Sequence, residues 1–265
     1  MSDEPEAGIG RQDPAERLRF EREVERIFQA ANAARLTLRI LGSLAFHLHC
    51  PRYGYLQAAL GRIYTDIDLA GYGREAPAVQ KLFTGHLGYA ADEMIYVESE
   101  GARMIFEHPD HHVHVDVFFD KLDFNHTISW RSRLERDAPT VPLAELFLEK
   151  MQIVRINAKD VIDTIVLLLE HPLGDGDDDT IDIGRVARLC ADDWGLWRTT
   201  TMNLEKVKQL LIGFPQLTEE HKRAVAGQVD RALARIAAEP KTLAWRMRNR
   251  IGDRMKWHKD VDEVR

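Results

Sequence analysis

Thr65-Asp66-Ile67-Asp68-Leu69 and His114-Val115-Asp116-Val117-Phe118-Phe119 decide how this chain is read. In each stretch acidic residues alternate with large apolar ones, the period-two pattern of a half-buried strand. Asp66 and Asp68 are one residue apart, so on a strand both carboxylates leave by one face while Ile67 and Leu69 enter the core. Asp116 has the same apolar flanks, and a second strand can bring it beside them. Three carboxylates on one sheet face repel each other. A divalent cation removes that repulsion, and an all-oxygen donor set favours Mg2+ or Mn2+ over zinc.

Upstream, the apolar run Leu36–Leu41 reads as a buried strand that ends at Gly42-Ser43, after which Leu44–His49 begins a helix. Such a turn offers backbone N–H groups, a hydroxyl and the positive end of a helix to a phosphate. Downstream, Gly71-Tyr72-Gly73 is a turn, and a helix from about Ala76 stops at Gly88. Ala90–Val97, Ala102–Glu107 and His112–Phe119 are β-rich, and the turns at Gly101 and Pro109-Asp110 make them an antiparallel run of hairpins.

Residues 1–13 carry no periodic apolar pattern and are expected to be a flexible lead-in. Asp13-Pro14-Ala15-Glu16 then opens a helix with the signature of a capping box, and Leu18, Val24, Ile27 and Phe28 give it an apolar stripe. From Pro142 onward the pattern is helical: Leu143–Arg155, Ala158–Glu170, Ile181–Asp192, Leu204–Ile212, Glu219–Ala238 and Thr242–Arg254. The expected fold is therefore α+β, with a mixed sheet and flanking helices over 14–141 and a helical domain over 142–265.

The chain has 265 residues, 45% of them hydrophobic, enough for an enzyme-sized core. No apolar run approaches the roughly 20 residues that cross a bilayer, and the first thirty residues are acidic, so a cytoplasmic protein is expected. Cys50 and Cys190 stand far apart and in no paired ligand spacing, which argues against a disulfide framework or a thiolate zinc site. The formal net charge is −7, yet Lys222–Lys259 holds eleven basic residues against three acidic ones, a local charge of +8. That basic C-terminal segment, with tryptophans near it, can bind a phosphate backbone or can be a solvated helical face; the two readings weigh equally.

Gly42-Ser43, Thr65-Asp66-Ile67-Asp68-Leu69 and Asp116 together resemble the polymerase beta-like nucleotidyltransferase superfamily. Its signature is a Gly-Ser or Gly-Gly turn, an Asp-x-Asp strand and a later third carboxylate. Leu148-Glu-Lys-Met-Gln-Ile-Val-Arg155 followed by Ala158-Lys-Asp-Val-Ile-Asp163 narrows the likeness to the abortive-infection AbiEii-type nucleotidyltransferases. The resemblance covers about Leu38 to Leu169, with Cys50–Gln57 as an insertion and His114-Val-Asp116 where the family tends to have Lys-x-Glu. It implies a nucleotidyltransferase-type sheet and the transfer of a nucleoside monophosphate from a nucleoside triphosphate (NTP) to an acceptor hydroxyl, with release of pyrophosphate. It further implies Asp66, Asp68 and Asp116 as metal ligands, Gly42 and Ser43 on the triphosphate, Lys150 on the nucleotide phosphates, and Asp160 or Asp163 assisting the acceptor or bracing the site. Arg155 would pair with Asp160 or Asp163. A toxin-like role with tRNA or another RNA as acceptor, and an antitoxin partner, follow from the same likeness.

Other chemistries are weaker fits. Transfer to a small molecule such as an antibiotic keeps the same site with a different acceptor pocket, and a non-catalytic nucleotide-binding module keeps only the fold. His108, His111, His112 and His114 precede Asp116 and could serve zinc, but that leaves Gly42-Ser43 and Asp66-x-Asp68 unexplained. The blander expectation is that one or two of them cap a turn while His114 hydrogen-bonds near the carboxylates. Asp175, Asp177 and Asp179 alternate like calcium ligands but lack the glycine and late glutamate of a calcium loop.

Overall fold

The computed structural model describes residues 10–110 and 113–261. The chain divides into two compact units: one runs to Leu122 and takes in Ser129–Pro142, and the other is Asp123–Ile128 together with the chain from Leu143. The second unit thus differs from the expected 142–265 span by six residues borrowed from further upstream and by Pro142, which falls in the first unit.

The first unit is built on a mixed five-stranded sheet of β1 (Arg39–Leu41), β2 (Ile67–Gly71), β3 (Ala90–Asp92), β4 (Arg103–Glu107) and β5 (His114–Phe119), in the order β1-β2-β5-β4-β3. The central pair β2/β5 is parallel and every other pair is antiparallel. Ile67, Leu69, Val115 and Val117 are buried, as their alternation requires. Asp66 stands immediately before β2 rather than within it.

Helix α1 (Pro14–Ala33) starts where Asp13 accepts from the Ala15 N–H at 2.8 Å. Glu16 ion-pairs with Arg19 at 3.6 Å instead of reaching back to the cap. Its buried stripe is Phe20, Val24, Ile27 and Ala31, whereas Leu18 is exposed. Of the expected lead-in, 1–9 lie outside the described residues; 10–13 are held, because the side-chain amide of Gln12 both donates to Tyr64 O and accepts from its N–H, and Gly10 donates to Gly61 O. Helix α2 (Gly42–His49) follows β1 directly; α3 (Tyr55–Ala59) occupies the insertion. Helix α4 (Ala76–Lys81) ends through a wide turn at Gly88, whose φ of 80° is the left-handed cap.

One expected strand is a helix. Ala90–Val97 reads as β because of Ile95, Tyr96 and Val97, yet only Ala90–Asp92 is extended. Asp92 accepts from the N–H groups of Met94 and Ile95 and starts α5 (Glu93–Glu98). A local side-chain cap overrides a weak strand preference there.

A short hairpin, β6 (Lys121–Asp123) and β7 (Thr127–Ser129), carries the chain through Asn125 and His126. The second unit then contains α6 (Leu143–Met151), α7 (Ala158–Glu170), the two-residue strands β8 (Leu173–Gly174) and β9 (Ile181–Asp182), α8 (Ile183–Asp192), α9 (Trp194–Leu210), α10 (Glu219–Ala238) and α11 (Leu243–Ile251). Each start has a chemical cause: Asp182, Asp193, Thr218 and Thr242 accept from N–H groups of the first turns of α8 to α11. Every residue of α6 is buried. Cys50 and Cys190 are both buried and form no disulfide, and burial pushes the Cys190 thiol up to about 12. No helix among the described residues is long and apolar enough to cross a membrane.

His126 is buried, with its Nε2 2.8 Å from Thr199 Oγ1 and its backbone N–H donating to the Gln152 side chain. Burial holds its pKa down at about 4 against 6.5 in the open chain. The native state therefore keeps this ring neutral while the unfolded state protonates it, so stability is lost as pH falls from about 6.5 to about 4. In urea unfolding across that window, His126→Gln is expected to flatten the pH dependence by up to ~1.4 kcal/mol per pH unit. An unchanged slope would remove His126 from the acid response.

Candidate functional site

Asp68 and Asp116 are register partners on the adjacent parallel strands β2 and β5, so their side chains leave the sheet side by side on one face. Asp66, one residue outside β2, completes the acidic run. The face is closed on one flank by Gly42, which opens α2 with φ 69°. A Cβ added there would lie 2.1 Å from Asp68 Oδ2, so the carboxylate rests directly on the glycine backbone. This requires glycine twice over, for the left-handed φ and for the close approach. Ser43 is buried in the first turn of α2, and its carbonyl accepts from Gln57 Nε2 at 3.3 Å.

Arg103 belongs to the site although no motif in the sequence marks it. From β4, its Nε donates to Asp116 Oδ1 at 2.7 Å and its Nη2 to Oδ2 at 2.5 Å, a bidentate pair. Burial would lower the Arg103 pKa, but Asp116 above all, then Asp68 and Asp66, raise it. All three carboxylates are thus within electrostatic reach of one guanidinium. His114 Nε2 lies 3.6 Å from Asp116 Oδ2, an ion-pair rather than hydrogen-bond distance, and its Nδ1 meets Glu107. Asp116 and then Glu107 push the imidazole up to about 9, so it is cationic at neutral pH. Burial would raise the Asp116 pKa, but His114 and Arg103 outweigh it and hold the carboxyl below its usual range.

The face therefore alternates charge: acidic at Asp66, Asp68 and Asp116, cationic at Arg103 and His114. Among the described residues no three His, Cys, Asp or Glu side chains group as a metal-binding set. The donors that fit a magnesium-type ion are Asp66 and Asp68, since Asp116 has both oxygens engaged by Arg103. That suits an ion which uses one or two carboxylates and completes its shell with water and substrate phosphate. His108 stacks edge-on against Tyr89 and takes the Asp110 N–H on its Nδ1, a turn cap as expected of one of these histidines; His111 and His112 lie outside the described residues.

In the second unit, Lys150 is buried, with Nζ 2.9 Å from Glu149, 3.3 Å from Asp160 and 3.4 Å from Asp163. The partner of the two aspartates is therefore Lys150, and Arg155 is exposed, which corrects the expected Arg155 pairing. Asp160 also serves its own helix, exchanging hydrogen bonds with Asn157 in the capping box that starts α7. Of the basic C-terminal segment, Arg235 pairs with Glu239, Lys256 with Asp260 and Lys259 with Asp123. Arg248 donates to Gly252 O and Met255 O and lies 4.4 Å from the Trp194 ring centre. Much of that charge is spent inside the unit. Asp179 pairs with His171, so the acidic loop Gly174–Asp179 has a structural partner.

Comparison of the chain with protein-family models, with curated proteins and with solved structures finds no match to any of them.

Proposed function

We propose that the chain is a metal-dependent nucleotidyltransferase that moves a nucleoside monophosphate from an NTP to an acceptor hydroxyl, on a nucleotidyltransferase-type sheet. The observation that carries this reading is the pairing of Asp68 with Asp116 across parallel strands, with the Asp68 carboxylate seated on Gly42 at the start of α2. Asp66 and Asp68 hold Mg2+ or Mn2+, which when bound neutralises phosphate charge and polarises the reacting phosphoryl group. Gly42 and Ser43 present the first N–H groups of α2 to the triphosphate. Asp116 stays ionised between Arg103 and His114, which suits it to orient and hold positive charge more than to accept a proton. In the second unit Lys150, with Asp163, is the proposed nucleotide contact; reaching a phosphate requires Lys150 to exchange one of its carboxylate partners. RNA is the proposed acceptor, bound through the basic C-terminal segment, with an antitoxin as protein partner.

A second reading rests on Arg103. Its fork on Asp116 supplies a fixed positive charge where the metal would otherwise act, as expected of a nucleotide-binding module that has no catalysis.

One experiment separates them. Wild type and Asp66→Ala/Asp68→Ala are incubated with each radiolabelled NTP, magnesium or manganese, and total cellular RNA, and thermal unfolding is followed with and without the metal. Transfer by wild type alone, with a metal-dependent rise in Tm that the double variant lacks, is the expected result. An NTP-dependent but metal-independent rise in Tm, without transfer to RNA, would replace catalysis by the Arg103 reading.

A further inference from the structure

The first unit has a cleft of about 630 Å³ beyond the carboxylate face, lined chiefly by Arg74, Arg131, Arg136, Tyr72, Ser129 and Ser132. It lies where β2 and β5 end, since Tyr72 follows β2, and Asp120, which also lines it, follows β5. In open sheets the carboxyl ends of parallel strands are where ligands gather.

Its two carboxylates are already committed. Asp120 Oδ1 accepts from the Gly73 N–H at 3.1 Å, and Glu135 Oε2 accepts from the Tyr72 hydroxyl at 2.6 Å. The guanidiniums are not. Among the described residues Arg131 and Arg136 make no side-chain hydrogen bond or ion pair, and Arg74 has Glu75 at 3.5 Å, the Tyr72 ring at 4.4 Å and a longer-range attraction to Glu135. These arginines are displayed on a fixed scaffold. Trp130 and Leu134 are fully buried beneath the loop, and Trp130 N→Asp120 O, Arg133 N→Trp130 O and Arg136 N→Arg133 O bonds pin its turns. Three guanidiniums lining one cleft, with serines beside them, match multiply charged phosphoryl oxygens, and the two carboxylates of the lining are already held by Gly73 and Tyr72.

We infer that the cleft of Arg74, Arg131 and Arg136 is a phosphate-binding site, distinct from the carboxylate face, for a ligand that presents two or more phosphoryl charges. The phosphates can belong to a free polyphosphate or to the backbone of a nucleic acid.

Calorimetric titration at about 0.15 M salt, with inorganic tripolyphosphate in one arm and a ten-residue oligouridylate in the other, tests it. Wild type is expected to bind at least one probe, and the arm that binds identifies the source of the phosphates. Arg131→Ala/Arg136→Ala, both exposed positions checked by an unchanged Tm, should weaken that probe about 100-fold, about tenfold for each guanidinium. Arg131→Lys/Arg136→Lys should fall between the two. Equal affinity in the alanine variant, or no binding of either probe to wild type, would overturn the inference.

Discussion

Gly42→Ala is expected to cost the fold about 2–4 kcal/mol and to push the Asp68 carboxylate out of place. The backbone at φ 69° charges any L side chain about 1–2 kcal/mol. The new methyl would also sit 2.1 Å from Asp68 Oδ2 and 3.0 Å from its Cγ, an overlap that adds about 1–2 kcal/mol unless the carboxylate swings away. Urea unfolding of wild type, Gly42→Ala, Asp68→Ala and the double variant closes a cycle. Because Asp68→Ala removes Oδ2 and Cγ and leaves only the Cβ, 3.1 Å away, Gly42→Ala should cost mainly the backbone share in that background. Identical costs in both backgrounds would show that the glycine does not position Asp68. If the site transfers nucleotides as proposed, the single variant should also lose about 100-fold in turnover, because a displacement of roughly 1 Å at reacting groups has that effect.

Lys150→Met is expected to destabilise the protein by about 3–5 kcal/mol, the cost of leaving buried carboxylates without their counter-charge. Lys150 is 6% exposed and Asp163 0%, so water cannot replace the lost ammonium. Neutralising one partner in the same chain, as Lys150→Met/Asp163→Asn, should recover part of the loss. Lys150→Arg keeps the charge and should sit between wild type and Lys150→Met. A Lys150→Met variant within about 1 kcal/mol of wild type in urea unfolding would mean that the cluster relaxes or protonates, and that Lys150 does not hold the fold.

What can be read from the sequence is what depends on neighbours along the chain. Alternation in Ile67-Asp68-Leu69 and Val115-Asp116-Val117 announces two strands with carboxylates on one face, and caps such as Asp13 mark helix starts within a residue or two. The run Glu219–Ala238 is legible from end to end, being long and strongly periodic. What depends on partners remote in sequence is hidden. Arg103 is an isolated basic residue at a strand start, and only the β4/β5 register puts it diagonally across from Asp116. Lys150 rather than Arg155 meets Asp160 and Asp163 because α6 ends at Met151, leaving Arg155 in a turn that faces solvent. The start of α9 at Trp194, ten residues before the apolar repeat suggests it, follows from Asp193 capping Gly195 and Leu196.

The segment Asp123–Ile128 has a further meaning for how this chain comes into being. Asn125 accepts from the Val154 N–H and the Lys259 N–H and donates to Lys259 O, while His126 is held by Gln152 and Thr199. During vectorial synthesis these six residues emerge well before Gln152 and Thr199 and more than 130 residues before Lys259. The polar groups of the hairpin tip must wait, hydrated, until the final stretch arrives to dock on them. The helical unit consequently cannot be excised by one cut at Leu143: a fragment made that way lacks the strip on which its own tail closes, and a dissection of the chain must graft 123–128 back in.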